Sequence, residues 1–257
     1  MTEPEQPPTS GHPGLRWRRV LLKLSGEAFA GGQPGAIDPE TVRYLAEQVR
    51  DAHRLGAEVA VVVGGGNIIR GGMASGAGIE RGTADYMGML ATVINALALQ
   101  DALERLDVEV RTQTALTMTA VAEPFIRRRA IRHLEQGRVV IFGAGTGNPF
   151  FTTDTAAALR ATDIRADALL KATNIDGIYD QDPKLHPEAR RFHQLTHEEA
   201  FQRRLKVMDM TAFSLAMENG IPIVVFDVNE PGNTRRVLLG EAVGTVVGAP
   251  APAGVVA

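Results

Sequence analysis

The stretch Val59-Ala60-Val61-Val62-Val63-Gly64-Gly65-Gly66-Asn67 joins an uninterrupted run of apolar residues to three consecutive glycines. A strand that is apolar at every position, rather than at alternate positions, is typical of a parallel sheet covered on both faces. Ligands of such sheets bind beyond the carboxyl ends of the strands, which is where the three glycines stand. This stretch therefore predicts a buried parallel strand and a ligand loop directly after it.

Further apolar runs predict strands of the same kind, with helical patterns between them. The predicted strands are Val20–Leu24, Val59–Val63, Val108–Thr112, Val139–Phe142, Ala168–Lys171 and Ile223–Phe226. The predicted helices are one from Asp38-Pro39 to near Gly56, then Thr83–Leu106, Glu123–Gln136, an Ala-rich helix after Asp154, a short helix opened by the capping box Thr196–Glu199, and one that ends at Asn219-Gly220. This alternation predicts an α/β fold with a mainly parallel sheet.

Composition excludes several classes of function. The chain has 257 residues, of which 44% are hydrophobic and 22% charged, and its formal net charge is −3. That charge argues against nucleic acid or an anionic membrane as a partner. Since the chain has no cysteine, disulfides, thiolate catalysis and Cys-ligated zinc are also excluded.

The two ends differ in character from the rest of the chain. Residues 1–16 contain four prolines and almost no apolar residues, which predicts a disordered lead, and residues 249–257 predict a flexible tail. Residues 17–248 are expected to form a single domain. The lead lacks the apolar stretch of a signal peptide, so we expect a cytoplasmic location.

Three glycine-bearing loops directly follow predicted buried strands. They are Lys23–Glu27, Gly64–Asn67 and Gly143–Pro149, and Asp154 follows the third loop at the start of a predicted helix. Glycines let several backbone N–H groups approach one phosphate, and a helix N-terminus adds a partial positive charge. Structural turns alone would explain one such loop more easily than three, so we expect phosphate binding at this edge.

The common nucleotide-binding motifs do not account for these loops. The P-loop pattern G-x-x-x-x-G-K-[ST] does not occur in the chain, and the dinucleotide fingerprint fails because Asn148 stands where it needs a glycine. The protein-kinase motifs H-R-D and D-F-G do not occur either. The phosphates are therefore expected to bind in another scaffold.

Four stretches together resemble the amino-acid-kinase fold family. They are Lys23–Ala28, Gly64–Asn67 with Arg70, Gly143–Asp154, and Lys171–Tyr179 followed by Asp182-Pro183. Within that family, Gly145–Asp154, Met87–Thr92 and Leu205–Asp209 resemble the bacterial uridylate (UMP) kinases. The likeness runs from about Arg19 to Val247.

The resemblance implies a three-layer αβα sandwich and transfer of the ATP γ-phosphoryl group to UMP, giving UDP and ADP in pyrimidine nucleotide (CTP) biosynthesis. It also implies Mg²⁺ bound with ATP, a homohexamer, activation by GTP and feedback inhibition by UTP. Two alternatives stay open: another phosphotransferase of the same family, acting on a carboxylate, a carbamate or an isoprenoid phosphate, and a nucleotide-binding regulator without turnover.

The catalytic candidates follow from the charge of the reactants. Phosphoryl transfer brings two polyanions together, so positioning and positive charge are its main needs. Lys23 is expected to bridge the β- and γ-phosphates, Arg70 to reach them from the second loop, and Asp154 to orient Lys23 or to help manage Mg²⁺. The structural alternatives are an ordinary strand-end lysine for Lys23 and a helix cap for Asp154.

The resemblance also implies two substrate sites and no metal site made by the protein alone. The ATP site takes Lys23, Leu24, Ser25, Gly26, Gly66, Arg70, Thr173, Tyr179 and Asp182. The UMP site takes Gly65, Asp85, Thr146, Gly147, Asn148, Pro149, Phe150, Phe151, Thr152 and Thr153. Asp85 is expected to bind the ribose hydroxyls, whereas a phenylalanine pair is also typical of a core and Asp182-Pro183 of a simple turn. Asp209 is kept outside the catalytic set, in a structural or effector role.

Overall fold

Nine strands form one sheet in the part of the chain that a computed structural model describes, which is residues 14–32, 37–69, 78–183 and 185–248. The strands are β1 (Arg19–Leu24), β2 (Glu58–Val63), β3 (Val110–Thr114), β4 (Glu123–Pro124), β5 (Val139–Gly143), β6 (Ala168–Thr173), β7 (Gln194–Leu195), β8 (Ile223–Asp227) and β9 (Thr245–Val247). Their order across the sheet is β4-β3-β5-β2-β1-β6-β8-β9-β7. All neighbours are parallel except β8 and β9, which confirms the mainly parallel sheet.

Helices cover both faces of this sheet. They are α1 (Pro39–Arg54), α2 (Arg81–Glu104), α3 (Arg127–Glu135), α4 (Thr153–Ile164), α5 (His197–Gln202), α6 (Met210–Glu218) and α7 (Asn233–Leu238), with a 3-10 turn at Gly26–Phe29. One core cluster holds α1, α2 and α7 against the sheet, and a second holds α3, α4, α5 and α6 against the other face. The fold is therefore the three-layer αβα sandwich that the resemblance implies.

The central strands divide their side chains between the two cores. On β1, Leu22 and Leu24 point into the first core, and Leu21 points into the second. On β2, Val61 points into the first core and Val62 into the second. Because both faces are covered, apolar side chains are favoured on both sides of these strands, which explains the apolar runs Val20–Leu22 and Val59–Val63.

Side-chain caps fix the first residues of two predicted helices. Asp38 caps α1 by accepting the Thr41 N–H at 2.8 Å, and Pro39 stands at the first helical position. Thr196 and Glu199 form the predicted capping box at the start of α5, with bonds of 3.0 and 2.8 Å.

Other predicted boundaries are wrong by a few residues, and one predicted helix is wrong at its start. Glu123-Pro124 forms the edge strand β4 beside Gln113 and Thr114, so the predicted helix Glu123–Gln136 is only Arg127–Glu135. Pro124 lacks an N–H and holds Glu123 in an extended conformation, which favours an edge strand. The third strand begins at Val110 instead of Val108, because a turn at Asp107 with a φ of 58° precedes it.

The long helix α2 begins two residues before the predicted Thr83, because Glu80 caps it by accepting the N–H groups of Gly82 and Thr83. Its length and hydropathy would also suit a membrane span, and it is the one helix of the described residues for which this holds. One side of α2 packs against α1, β3 and β5, as a core helix does. On another side Tyr86, Leu90 and Ile94 are exposed at a spacing of four residues, which leaves an apolar stripe on the surface.

Candidate active site

The first two glycine loops meet at the carboxyl ends of the adjacent strands β1 and β2. A Cβ on Gly26 would lie 2.3 Å from the backbone N of Gly66, and a Cβ on Gly64 would lie 2.5 Å from the backbone N of Gly26. These two glycines are therefore required by the contact between the loops. A Cβ on Gly66 would meet nothing within 4 Å, so packing does not require a glycine at this position.

An ion cluster lies next to these loops. Lys23 and Lys171 stand at matching positions on the neighbouring parallel strands β1 and β6. Asp154, in the first turn of α4, has one carboxylate oxygen 2.9 Å from the Lys23 Nζ and the other 2.9 Å from the Lys171 Nζ. The Lys171 Nζ also donates to the carbonyl oxygen of Val207 at 2.7 Å. One carboxylate thus holds two cations side by side, the buried Lys23 and the partly buried Lys171.

The charge state of Asp154 follows from this pairing. Burial of the carboxyl group raises its pKa, but the Lys23 and Lys171 ammonium groups outweigh burial and hold the pKa below its ordinary value. The carboxylate is therefore ionised at neutral pH. Both of its oxygens already face lysines, which favours the role of orienting Lys23 over that of a metal ligand.

One pocket beside the cluster gathers most of the predicted UMP residues. Its lining includes Gly65, Gly66, Asp85, Thr146, Asn148, Phe151, Thr152 and Thr153. Asp85, on the first turns of α2, accepts the Phe150 N–H at 2.8 Å and pairs with Arg81 at 3.0 Å. We call this the acceptor pocket.

A second pocket lies on the side of Lys171, and its cavity volume is about 600 Å³ against about 180 Å³ for the acceptor pocket. Its lining includes Lys171, Thr173, Tyr179, Asp182 and the segment 203–207. The Tyr179 hydroxyl donates to the Asp176 carboxylate at 2.7 Å, and this bond raises the pKa of Tyr179. We call this the donor pocket.

The cluster connects the two pockets. Lys171 lines the donor pocket, and Thr152 and Thr153, directly before Asp154, line the acceptor pocket.

Some predicted residues lie elsewhere than expected. Gly66, predicted for the ATP site, lines the acceptor pocket, and Leu24 is buried in the core. Arg70 lies outside the described residues. Phe150 and Phe151 are 67% and 51% exposed, so the core alternative for this pair is wrong.

The remaining predicted residues stand in the loops that border the two pockets. Lys23, Ser25 and Gly26 lie at the end of β1, whereas Gly147, Pro149 and Phe150 lie on the loop that leads to α4.

Sequence reasoning missed two parts of the site. No role is predicted for Lys171 from the sequence, although this residue lies near the carboxyl end of a buried strand as Lys23 does. The segment 203–207 carries no pattern that marks it as a pocket wall, since it reaches the site only through the turn before α6. Lys171 could have been identified from its position in the sequence, whereas the segment 203–207 can be assigned to the pocket only from the fold.

Comparisons with known proteins agree on one family. The Amino acid kinase family matches residues 18–227. The chloroplastic uridylate kinase PUMPKIN of Arabidopsis thaliana is 58% identical over 237 residues, which are 92% of this chain and 70% of that protein. The crystal structure of UMP kinase from Bacillus anthracis matches with a TM-score of 0.88 and 41% identity, over 90% of this chain and 96% of that one. UMP kinase from Ureaplasma parvum matches with a TM-score of 0.85 and 37% identity, over 91% and 99%.

The lowered pKa of Asp154 predicts a pH-dependent share of stability. The ionised carboxylate adds stability at neutral pH, and this share is lost as the pH falls below the ordinary value of 3.8 and through the folded-state pKa. We expect Asp154→Asn to unfold at lower urea concentration than the unmodified chain at pH 7, with a difference that shrinks below about pH 4. Asp101→Asn, which removes an exposed carboxylate, is the control. A difference that stays constant down to pH 3 would contradict the assignment.

Proposed function

The chain belongs to the amino acid kinase family, and from this premise we propose that it is a uridylate kinase, which transfers the γ-phosphoryl group of ATP to UMP and releases UDP and ADP. The observation that carries the proposal is the cluster of Lys23, Asp154 and Lys171 between two pockets. One pocket is lined by the segment that resembles UMP kinases, and the other by the segment that resembles the nucleoside-binding loop of the whole family.

The reaction needs charge placed between the two substrates. A phosphate oxygen of UMP forms a bond to the γ-phosphorus of ATP, and the bond from that phosphorus to the β–γ bridging oxygen breaks. Negative charge moves onto ADP in this step, and Lys23 and Lys171 are placed to stabilise it as the phosphoryl group passes. The acceptor phosphate is mostly dianionic at neutral pH, so it attacks without a general base.

Asp154 acts in this scheme as a positioning residue. Without it, two ammonium groups on neighbouring strands would repel each other and turn away from the site. Arg70 stays a proposed phosphate ligand from the second loop. Together these residues argue against a regulator without turnover, because simple binding needs no pair of cations held together by one carboxylate.

Mg²⁺ is proposed to enter with ATP. In the described residues, no three His, Asp or Glu side chains are grouped as a metal site would require, and both Asp154 oxygens face lysines. Magnesium commonly keeps water and phosphate oxygens as ligands, so the nucleotide supplies most of its coordination. The bound ion would neutralise part of the phosphate charge.

The acceptor pocket favours UMP over the acceptors of other family members. Asp85 stands at its rim with a carboxylate suited to ribose hydroxyls, and the loop 145–153 supplies neutral hydroxyl and amide groups. A carboxylate or carbamate acceptor would call for cationic side chains in that position, and an isoprenoid phosphate for an apolar wall. Neither cationic nor large apolar side chains dominate the lining of the acceptor pocket.

A homohexamer is also part of the proposal. The apolar stripe Tyr86, Leu90 and Ile94 on α2 supports assembly, since side chains of this kind are typical of surfaces buried between subunits. Activation by GTP and inhibition by UTP rest on the family resemblance alone, and a cytoplasmic location stays a prediction of the sequence.

The first test measures ADP production from ATP and Mg²⁺ with each nucleoside monophosphate in turn, with and without GTP. We expect turnover confined to UMP. Lys23→Ala should lower turnover about 10³-fold, because it removes a cation that stabilises the transferring group. Thermal unfolding of the variant checks that the fold is intact. Turnover with no monophosphate would contradict the proposed function, and near-normal turnover of the variant would remove Lys23 from it.

Asp85→Asn separates the two pockets. We expect the KM for UMP to rise about tenfold, because a charged hydrogen-bond acceptor for the ribose is lost, whereas the KM for ATP stays within twofold. Asp101→Asn is the matched control. Asp101 also lies on α2, and it pairs with an arginine four residues away, Arg105, as Asp85 pairs with Arg81. An effect on ATP alone would show that the pockets are assigned the wrong way round.

Leu90→Glu tests the assembly. A charge at the centre of the stripe should shift the chain to smaller species, because burying an unpaired carboxylate between subunits is unfavourable. Light scattering after size-exclusion chromatography gives the mass. Phe201→Glu, an exposed apolar position on α5, is expected to leave the mass unchanged. A hexamer that persists in Leu90→Glu would exclude the stripe as an interface.

A further inference from the structure

Three polar side chains of α2 bind the backbone or side chains of the loops around the acceptor pocket. Asp85 accepts the N–H of Phe150, Thr92 accepts the N–H of Ala144, and Asn95 donates to the carbonyl oxygen of Gly64. Thr92 follows Asp85 by seven residues and Asn95 follows Thr92 by three, so all three lie toward one side of the helix. A single rigid element therefore contacts two separate loops.

Thr92 holds the start of the loop after β5. Its hydroxyl oxygen accepts the Ala144 N–H at 2.7 Å, and the hydroxyl donates to the carbonyl oxygen of Met89 at 2.7 Å. Thr92 is 2% exposed and Ala144 is fully buried. Water therefore has little access to replace this contact.

Ala144 has a strained backbone. Its φ is 62°, in the left-handed region that non-glycine residues rarely adopt, and Phe150 in the same loop has a φ of 71°. Such conformations persist only where the surroundings hold them. Both strained residues donate their N–H to an α2 side chain, Thr92 in one case and Asp85 in the other. The helix thus fixes the shape of the loop at both ends.

Asn95 holds the second glycine loop. Its side-chain nitrogen donates to the Gly64 carbonyl oxygen and to the Asn67 side-chain oxygen, both at 2.7 Å. The Asn67 side-chain nitrogen donates back to the Asn95 oxygen at 3.1 Å. Asn95 has no exposed surface, so this paired arrangement of amides has little freedom to shift.

We infer that Thr92 and Asn95 are positioning residues for the acceptor phosphate, acting through the loops that follow β5 and β2. These loops supply much of the pocket lining, to which α2 itself adds Asp85 and Thr92, and α2 sets where the backbone groups of the loops point. This inference rests on the proposed uridylate kinase function for its kinetic consequence, but the loop geometry itself does not depend on the substrate.

Thr92→Val tests the inference, because it keeps the shape of the side chain and removes the hydroxyl. We expect the KM for UMP to rise about tenfold, the KM for ATP to stay within twofold, and hydrogen exchange of peptides covering 143–149 to quicken about tenfold. Thr92→Ser, which keeps the hydroxyl, should restore all three values to within about threefold. Thr162→Val is the matched control, since its hydroxyl bonds only the Ala158 carbonyl within α4.

Asn95→Asp gives a second, independent measurement if Thr92→Val does not fold. It keeps the shape, removes the donor to Gly64 and to Asn67, and adds a buried carboxylate beside the Gly64 carbonyl, so the KM for UMP should again rise about tenfold and exchange of peptides covering 64–67 should quicken. Unchanged UMP kinetics and unchanged exchange in whichever variant folds would overturn the inference. Absence of UMP turnover in the unmodified chain would overturn the proposed function instead, and the exchange rates would still decide whether α2 holds the loops.

Discussion

The pairing of one carboxylate with two lysines is the interaction on which the site depends. Lys23 and Lys171 occupy matching positions on adjacent parallel strands, so the sheet itself forces two cations together. This arrangement is stable only with a counter-charge between them, and Asp154 supplies it at 2.9 Å from each. The sheet register and the start of α4 must therefore agree to within a fraction of a hydrogen-bond length.

The start of α4 is in turn fixed by its neighbours. Thr152 caps the helix by accepting the N–H groups of Asp154 and Thr155, and its own hydroxyl donates to Asp209. The chain reaches Thr152 through a loop with two strained residues, which α2 holds by hydrogen bonds. The two hydrogen bonds from α2, one buried at Ala144 and one exposed at Phe150, offset the cost of these conformations.

The sequence predicted the parts of this protein that depend on local patterns. The buried strands, the cap at Asp38 and the capping box at Thr196 follow from hydrophobicity and side-chain chemistry within a few residues. The edge strand Glu123-Pro124 could not be predicted in this way, because it is defined by its pairing with β3. The need for a glycine at position 26 could not be predicted either, because it comes from contact with the backbone of Gly66. Most residues predicted for the UMP site line one pocket because they stand in one continuous motif, whereas the contacts of Thr92 and Asn95 with the loops exist only in the fold.

Asp209 shows how a residue outside the transfer path still links the two pockets. Its carboxylate accepts from the hydroxyls of Thr152 and Thr155 and from the N–H of Ala212, so it joins the start of α4 to the start of α6. Two residues earlier, the carbonyl oxygen of Val207 accepts from the Lys171 ammonium group at 2.7 Å. A shift of the segment 205–209 would therefore move a wall of the donor pocket, the Lys171 ammonium group and the helix that carries Asp154. The segment lines the donor pocket directly and reaches the acceptor pocket only through the hydrogen bond between Asp209 and Thr152.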